Sequence, residues 1–225
     1  MEHSGQIAAI GTEAQAALER KHRARETVLA ASRRAIRACA SAIRAVHRRQ
    51  FAEARELIAG AAASLAEADA ALEGHPDVRY AGFLHDAKKE FAEANLTLAF
   101  VADEPLPGAG DLGVEVQAYL NGCAEAASEL RRQVLDCLRR GDDAEAERLL
   151  ATMDDVYGML VTIDYPDALT AGLRRATDAL RAVLERTRGD VTTALVVARI
   201  RDAVSGKPEG ERTGAGGNLP DSTGV

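Results

Sequence analysis

The chain has 225 residues, 47% of them hydrophobic, 28% charged and only 4% aromatic, and its 35 acidic and 28 basic side chains leave a formal net charge of −7. This is enough apolar material to bury a core in one domain, or two at most. With no Trp, four Phe, four Tyr and six Pro, the β-branched and aromatic enrichment and the frequent turn signals of a sandwich or barrel are missing, which excludes an all-β fold.

Residues 1–11 are expected as a flexible N-terminus. From Thr12 to Gly74 the pattern is helical: Leu29, Ile36 and Ile43 recur every seventh residue, with Cys39 and Val46 in the second position of the repeat. This stretch predicts one long helix or two stacked ones, with Gly60 as a candidate break. Glu73-Gly74-His75-Pro76 is a stop signal, because Gly accepts a left-handed cap and Pro cannot continue a helix. A second helical segment spans Val78 to Val101 and ends in the turn Asp103-Glu104-Pro105-Leu106-Pro107-Gly108. A third runs from Leu112 to Arg140. Gly141 then breaks the helix, and Asp142 or Asp143 caps a fourth segment, Ala144 to Ile163. Asp167 caps a helix ending near Arg188-Gly189-Asp190, and a short one, Val191 to Val204, follows. The residues after Ser205, rich in Gly, Pro, Ser and Thr, have too little to bury and read as a disordered tail over 205–225. The expectation is thus an all-α domain over 12–204, about seven antiparallel helices joined by short connections.

Three cysteines, Cys39, Cys123 and Cys137, form no CxxC pair, so neither a disulfide framework nor a cysteine zinc site is written here. No apolar run approaches the roughly 18 residues of a membrane span, and Met1 to Gln6 lacks the order of a signal peptide. A cytoplasmic protein with no membrane contact is expected.

Two features carry chemistry. Glu90 and Glu93 stand three apart on the second segment, and Glu125 and Glu129 four apart on the third, so each pair projects from one helix face. An antiparallel hairpin of the two segments would bring all four carboxylates together to within about one to two turns of register. Such a cluster repels itself unless protons or a divalent cation neutralise it. Oxygen-only ligation suits Mg²⁺ or Mn²⁺, whose natural chemistry is phosphodiester hydrolysis; the plainer alternative is two solvated glutamate pairs on exposed faces. A di-iron carboxylate bundle would need Glu-x-x-His on two helices, and only Glu19 with His22 fits. The second feature is charge segregation. Between Arg20 and Arg55 there are eleven Lys and Arg residues against Glu26 and Glu53 alone. Arg33, Arg37, Arg44, Arg48 and Arg55 follow a 4,7,4,7 spacing that lines guanidinium groups along one side of a helix, where they match a phosphate backbone or pair with acids of neighbouring helices.

Several segments together resemble one family. Ser32-Arg33 with Ile36, Ile43 and His47-Arg48 looks like the first-helix pattern of translin and translin-associated factor X. Glu90-Phe91-Ala92-Glu93-Ala94 is similar to the acidic signature of the catalytic subunit. Tyr119-Leu120-Asn121-Gly122 through Glu125 to Glu129-Leu130-Arg131-Arg132 resembles its Y-L-x-G…D-x-x-x-E-L stretch. Leu173 to Asp178 and Arg186 to Asp190 resemble the C-terminal helix and its RG ending. The likeness covers about residues 25 to 195 and is nearest to the prokaryotic translin-like proteins. It implies a seven-helix all-α subunit, closed octameric homo-oligomers that bind single-stranded RNA or DNA inside, and metal-dependent endoribonuclease activity. By position it implies Glu90, Glu93 and Glu125 as catalytic acids, the same three with Glu129 as ligands of Mg²⁺ or Mn²⁺, and Arg33, Arg37, Arg44, His47 and Arg48 as the nucleic-acid side. Glu125 stands where the catalytic subunits carry Asp. Members of the family that only bind nucleic acid lack the acidic set, whereas this chain keeps a carboxylate at each place; a non-catalytic binding shell is the first alternative and a helical protein-interaction scaffold the second.

Overall fold

The computed structural model describes residues 2–79 and 82–204. Among them every regular element is an α-helix: α1 (Glu2–His47), α2 (Phe51–Ala71), α3 (Pro76–Arg79), α4 (His85–Ala102), α5 (Ala109–Leu112), α6 (Val116–Arg140), α7 (Asp143–Leu160), α8 (Asp167–Thr170) and α9 (Leu173–Val204). Six of these are long and three are single turns, so the all-α expectation holds with somewhat different divisions. The expected tail, 205–225, lies outside the described residues.

The first helical stretch does break in two, but at Arg49 rather than Gly60. Arg49 adopts a left-handed φ of 58°, and the carbonyl of Ala45 accepts from both Arg48 N and Gln50 N, which closes α1 and turns the chain into α2. Gly60 sits within α2. Of the residues expected as a flexible N-terminus, Glu2 to Gly11 form the first turns of α1. Residues 3–16 of that helix are exposed throughout, and the part before Lys21 projects about 30 Å beyond the bundle. Lys21 itself is tied to Asp77 of α3 at 2.6 Å.

The buried ridge of α1 is built mostly of small residues, Val28, Ala31, Ala35, Cys39, Ala42 and Val46, at the 3-and-4 spacing of a helix seam. Small side chains let α2 and α4 approach closely. α2 runs antiparallel to α1, with Arg34 paired to Glu67 across the hairpin. α4 is the central helix: from Phe91 to Val101 only Asn95 is not buried. A helix apolar on all sides belongs in the interior, which makes the one acid inside that run, Glu93, conspicuous.

α4 and α6 run in the same direction. Lys88 near the start of α4 reaches Glu115 at the start of α6 (3.0 Å). Past the far end of α4, Asp103 and the carbonyl of Phe100 take Arg148 of α7, the helix that directly follows α6. Residues 103–115 therefore pass back alongside the pair, with Pro107 accepting from the Tyr119 hydroxyl at 2.8 Å. Gly141 in a left-handed cap (φ 74°) ends α6. Asp142 then caps α7 by accepting from Glu145 N.

The final segments divide differently from expectation. Ala171 and Gly172, both at positive φ, stop α8 after one turn, with Asp167 accepting from Gly172 N at 2.8 Å. α9 then runs straight through Gly189. An interior glycine costs a helix about 1 kcal/mol, and here the surrounding residues hold the helix against α6: Arg131 donates to Thr187 at 3.0 Å and to Asp190 at 2.7 Å. None of the described helices is long and apolar enough to cross a membrane.

A carboxylate cluster as the candidate functional site

Gly122 decides how near α6 comes to α4. A Cβ placed on it would lie 2.8 Å from Ala92 Cβ, 2.9 Å from the Lys89 carbonyl and 3.0 Å from Glu93 N, so only glycine allows this approach. One turn farther along α6, Glu125 is thereby delivered to the face of α4 that carries Glu90 and Glu93. The three glutamates each offer a carboxylate oxygen within 4.8 Å of the others. Three of the four carboxylates expected to cluster in an antiparallel hairpin thus meet between two helices that run together.

Glu93 lies deepest, 7% exposed. Burial pushes its carboxyl up to about 9, and the charges of Glu90 and Glu125 beside it add to the effect. At neutral pH it holds its proton. Behind it, on α1, Cys39 is fully buried, and its thiol is pushed up to about 12 by burial and then by the charges of Glu90 and Glu93. It is a packed, inert thiol forming the floor of the site. Lys89 closes the other side. Its Nζ lies 2.7 Å from both oxygens of Glu125 and 3.4 Å from Glu90 Oε1.

Glu129, one turn beyond Glu125, is engaged differently. His47 Nε2 lies 2.7 Å from Glu129 Oε2, while Gln133 Nε2 approaches His47 Nδ1 at 3.1 Å and donates to the His47 carbonyl at 3.3 Å. An amide NH₂ can only donate, so Nδ1 accepts and Nε2 carries the proton given to Glu129. That hydrogen bond, with a smaller contribution from the Arg132 charge, holds the Glu129 carboxyl below its ordinary range against the opposing effect of burial. The result is an ionised Glu129 next to a protonated Glu93, two carboxylates with opposite protonation set by their surroundings.

The basic residues expected on the nucleic-acid side separate. At about 100° per residue, Arg33, Arg37 and Arg44 fall within an arc of about 40° on α1, bordering the ridge of Ile36, Ala40 and His47 that faces α4 and α6. All three are exposed. The guanidinium groups of Arg33 and Arg37 have no ion pair or hydrogen bond among the described residues, and Arg44 donates only to Ser41. On α1 this flank lies beside the face from which His47 reaches Glu129. Arg48 turns away to Gln50 and Glu53, and Arg55, the last of the spaced series, pairs with Glu104. The His47 side chain is buried behind Glu129. The lone Glu-x-x-His pattern lies on the projecting part of α1, where Glu19 pairs with Arg23 instead.

Three further residues belong to the site: Lys89, Cys39 and Gln133. Lys89 was legible, since it stands one helical turn before Glu93 and next to Glu90. Cys39 and Gln133 carried no local signal, because their roles arise from contacts of α1 with α4 and α6.

No family model matches the sequence. The uncharacterized protein MJ0175 of Methanocaldococcus jannaschii is 30% identical over 187 residues, 82% of each chain. Among solved structures, AfC3PO is 32% identical, with a TM-score of 0.76 over 83% of this chain and 97% of that one. The chain belongs to the translin-like C3PO family. A second structure, of AfC3PO in complex with duplex RNA, matches at 31% identity and a TM-score of 0.74, covering 83% of this chain and 96% of that one. Apo-NeC3PO, at 19% identity, shares the fold with a TM-score of 0.70 over 84% of this chain and 96% of that one.

The donor set of this translin-like chain suits a hard divalent cation. At an octahedral Mg²⁺ or Mn²⁺ the ligand oxygens stand roughly 3–4 Å apart, so oxygens already within 4.8 Å of one another need only small side-chain rotations to meet there. Among the described residues no nitrogen or sulfur donor competes: the Cys39 thiol is protonated, the Lys89 amine is held as an ammonium and the His47 imidazole is committed to Glu129.

Proposed function

We propose that this protein is a metal-dependent endoribonuclease that binds RNA through the arginine flank of α1 and hydrolyses its phosphodiester bonds at the carboxylate cluster. The observation that carries the reading is Glu93: a carboxyl buried in the apolar run of α4 and set against two further carboxylates. A carboxyl buried against two further carboxylates is costly, and cation binding relieves that cost. The relationship to AfC3PO, which has been solved with duplex RNA, supports RNA as the ligand class. Single strands are the proposed substrate, with duplex RNA tested beside them. DNA is the competing strand.

Glu90, Glu93 and Glu125 would hold Mg²⁺ or Mn²⁺, with Glu129 as the fourth acid. The ion, when bound, supplies Lewis-acid activation of water and of the scissile phosphate. The chain's own groups do the rest. Arg33, Arg37 and Arg44 hold the sugar-phosphate backbone along the flank and bring it to the cluster, reading charge rather than base identity. His47 keeps Glu129 ionised and oriented. Glu93 gives up its proton as positive charge enters the site, so the cluster gains negative charge only where it is matched. Homo-oligomeric assembly, as a closed octamer, belongs to the same proposal. Exposed Ile7, Ile10 and Leu18 on α1 and Val196, Val197, Ile200 and Val204 on α9 support it as surfaces for other copies.

The test is cleavage of a labelled single-stranded RNA, with duplex RNA and single-stranded DNA alongside, by wild type and Glu93→Ala, each with Mg²⁺, Mn²⁺ or EDTA. Binding is scored separately, and mass by light scattering. Metal-dependent cutting that is lost in the variant while binding persists is the expected result. Equal cutting by the variant would remove Glu93 from the centre. Binding without cutting would leave a nucleic-acid-holding shell, and absence of both a protein scaffold.

A further inference from the structure

The cluster read above as a divalent-metal centre already holds a cation of its own. Lys89 donates to both oxygens of Glu125 at 2.7 Å and lies 3.4 Å from Glu90, two of the three acids that would hold the ion. Any metal taking an oxygen of Glu125 takes it from Lys89. The neighbouring lysine makes the contrast clear. Lys88 is buried and joins Asp69 of α2 to Glu115 before α6 (3.6 and 3.0 Å), a pairing that ties helices together. Lys89 pairs only with members of the cluster. Its side chain is 19% exposed, so the ammonium sits at the mouth of the site, on a four-carbon stem able to swing into water.

We propose that Lys89 is a tethered counter-cation that competes with the divalent ion for Glu125 and Glu90, so that metal loading displaces the ammonium and the site fills only at raised metal concentration. The proposal rests on the metal-centre reading. Electrostatics gives it a sign opposite to a structural role. Removing a unit positive charge a few ångströms from a divalent ion tightens the ion's binding, whereas removing a group that merely positions Glu125 loosens it.

The experiment measures Mn²⁺ binding to the full-length protein, without RNA, by the loss of the free-ion electron paramagnetic resonance signal. It compares wild type, Lys89→Met, Lys89→Gln, Lys89→Arg and the double variant Glu93→Gln/Lys89→Met. Met and Gln should each tighten binding roughly tenfold or more, while Arg, which keeps the charge, should stay near wild type. Unchanged or weaker binding in both neutral variants, or Arg binding as tightly as Met, overturns the proposal while leaving the metal centre in place. Persistence of tight binding in the double variant, or no Mn²⁺ binding by any variant, overturns the metal-centre reading and this proposal with it. A readout on unaltered protein avoids any folding defect of the variants. Acylation of the Lys89 amine by an activated ester, read by peptide mass spectrometry, should rise when Mn²⁺ is added; an unchanged yield means the ammonium does not move and refutes the competition.

Discussion

Glu93→Gln should make the metal-free protein more stable, by an amount that depends on pH in a defined way. The Glu93 carboxyl goes from 4.5, its ordinary value, to about 9 in the folded chain. A group raised on folding stabilises the folded state fully below its unfolded value, and that contribution is lost as pH rises through the folded one. At pH 7 the folded carboxyl is still protonated while the unfolded one is ionised, so the cost relative to acid solution follows the pH interval of about 2.5 at about 1.4 kcal/mol each, or about 3 kcal/mol. That figure depends only on the folded value lying well above 7, not on its distance above. Gln is close to the shape of the protonated acid and carries no proton to lose. In EDTA, its advantage should be near zero at about pH 4.5, about 3 kcal/mol at pH 7, and still larger at pH 9. For a chain of this size, 3 kcal/mol corresponds to a melting-temperature rise on the order of 6–12 °C. The assay is thermal and urea unfolding of both proteins at equal protein concentration from pH 4.5 to 9. A variant no more stable than wild type at pH 7, or an advantage that does not grow with pH, would refute the account of Glu93 as a carboxyl kept neutral by burial and by its acidic neighbours.

Two other substitutions test the framework of the site and its approach. Gly122→Ala places a methyl group 2.9–3.0 Å from the backbone of α4, which cannot yield as a flexible side chain would. Despite the better helix propensity of Ala, it should destabilise the protein by about 1–3 kcal/mol in urea unfolding, and a neutral or stabilising result would show that the two helices have slack. Changing Arg33 and Arg37 together to Glu should weaken RNA binding and lower the slope of log affinity against log salt by about 1.4, the share of two backbone contacts on a single strand. An unaltered slope would take the flank of α1 out of the interface.

How much of this could be read from the sequence depended on whether an element was set by local chemistry. The caps at Gly141 and Asp142 were legible because a positive-φ glycine and a capping acid act within one turn. The break after α1 was not, because its left-handed residue is an arginine, Arg49, held there by the packing of α1 against α2 and not by its own preference. Gly60 and Gly189 misled for the converse reason: a glycine inside a helix costs little beside the burial of the residues around it, such as Thr187 and Val191 on α9. Of the seam expected on α1, Cys39 and Val46 are fully buried and Ile43 nearly so, but Leu29 and Ile36 lie at its edge, and the other deepest positions belong to Val28, Ala31, Ala35 and Ala42. Alanine is a weak hydrophobic signal, yet it permits the close helix contacts on which this core depends.

The candidate site shows the same division. Glu90 and Glu93 on one helix face, and Glu125 one turn from Glu129 on another, follow from spacing alone, and so does the arginine line, because each lies within one element. Which residues meet is a property of the fold. The return of residues 103–115 along the bundle makes α4 and α6 parallel, Gly122 sets their separation, and α1 adds His47 from outside to draw off Glu129. These three features turn four similar glutamates into unequal ones: Glu93 neutral and buried, Glu125 bridged by an ammonium, Glu90 at the side, Glu129 ionised against an imidazole. If the cluster takes a metal as proposed, it is balanced before the ion arrives, by the proton on Glu93 and the ammonium of Lys89. Its affinity for a divalent ion would then be set by what the ion must displace as much as by the carboxylates that would receive it.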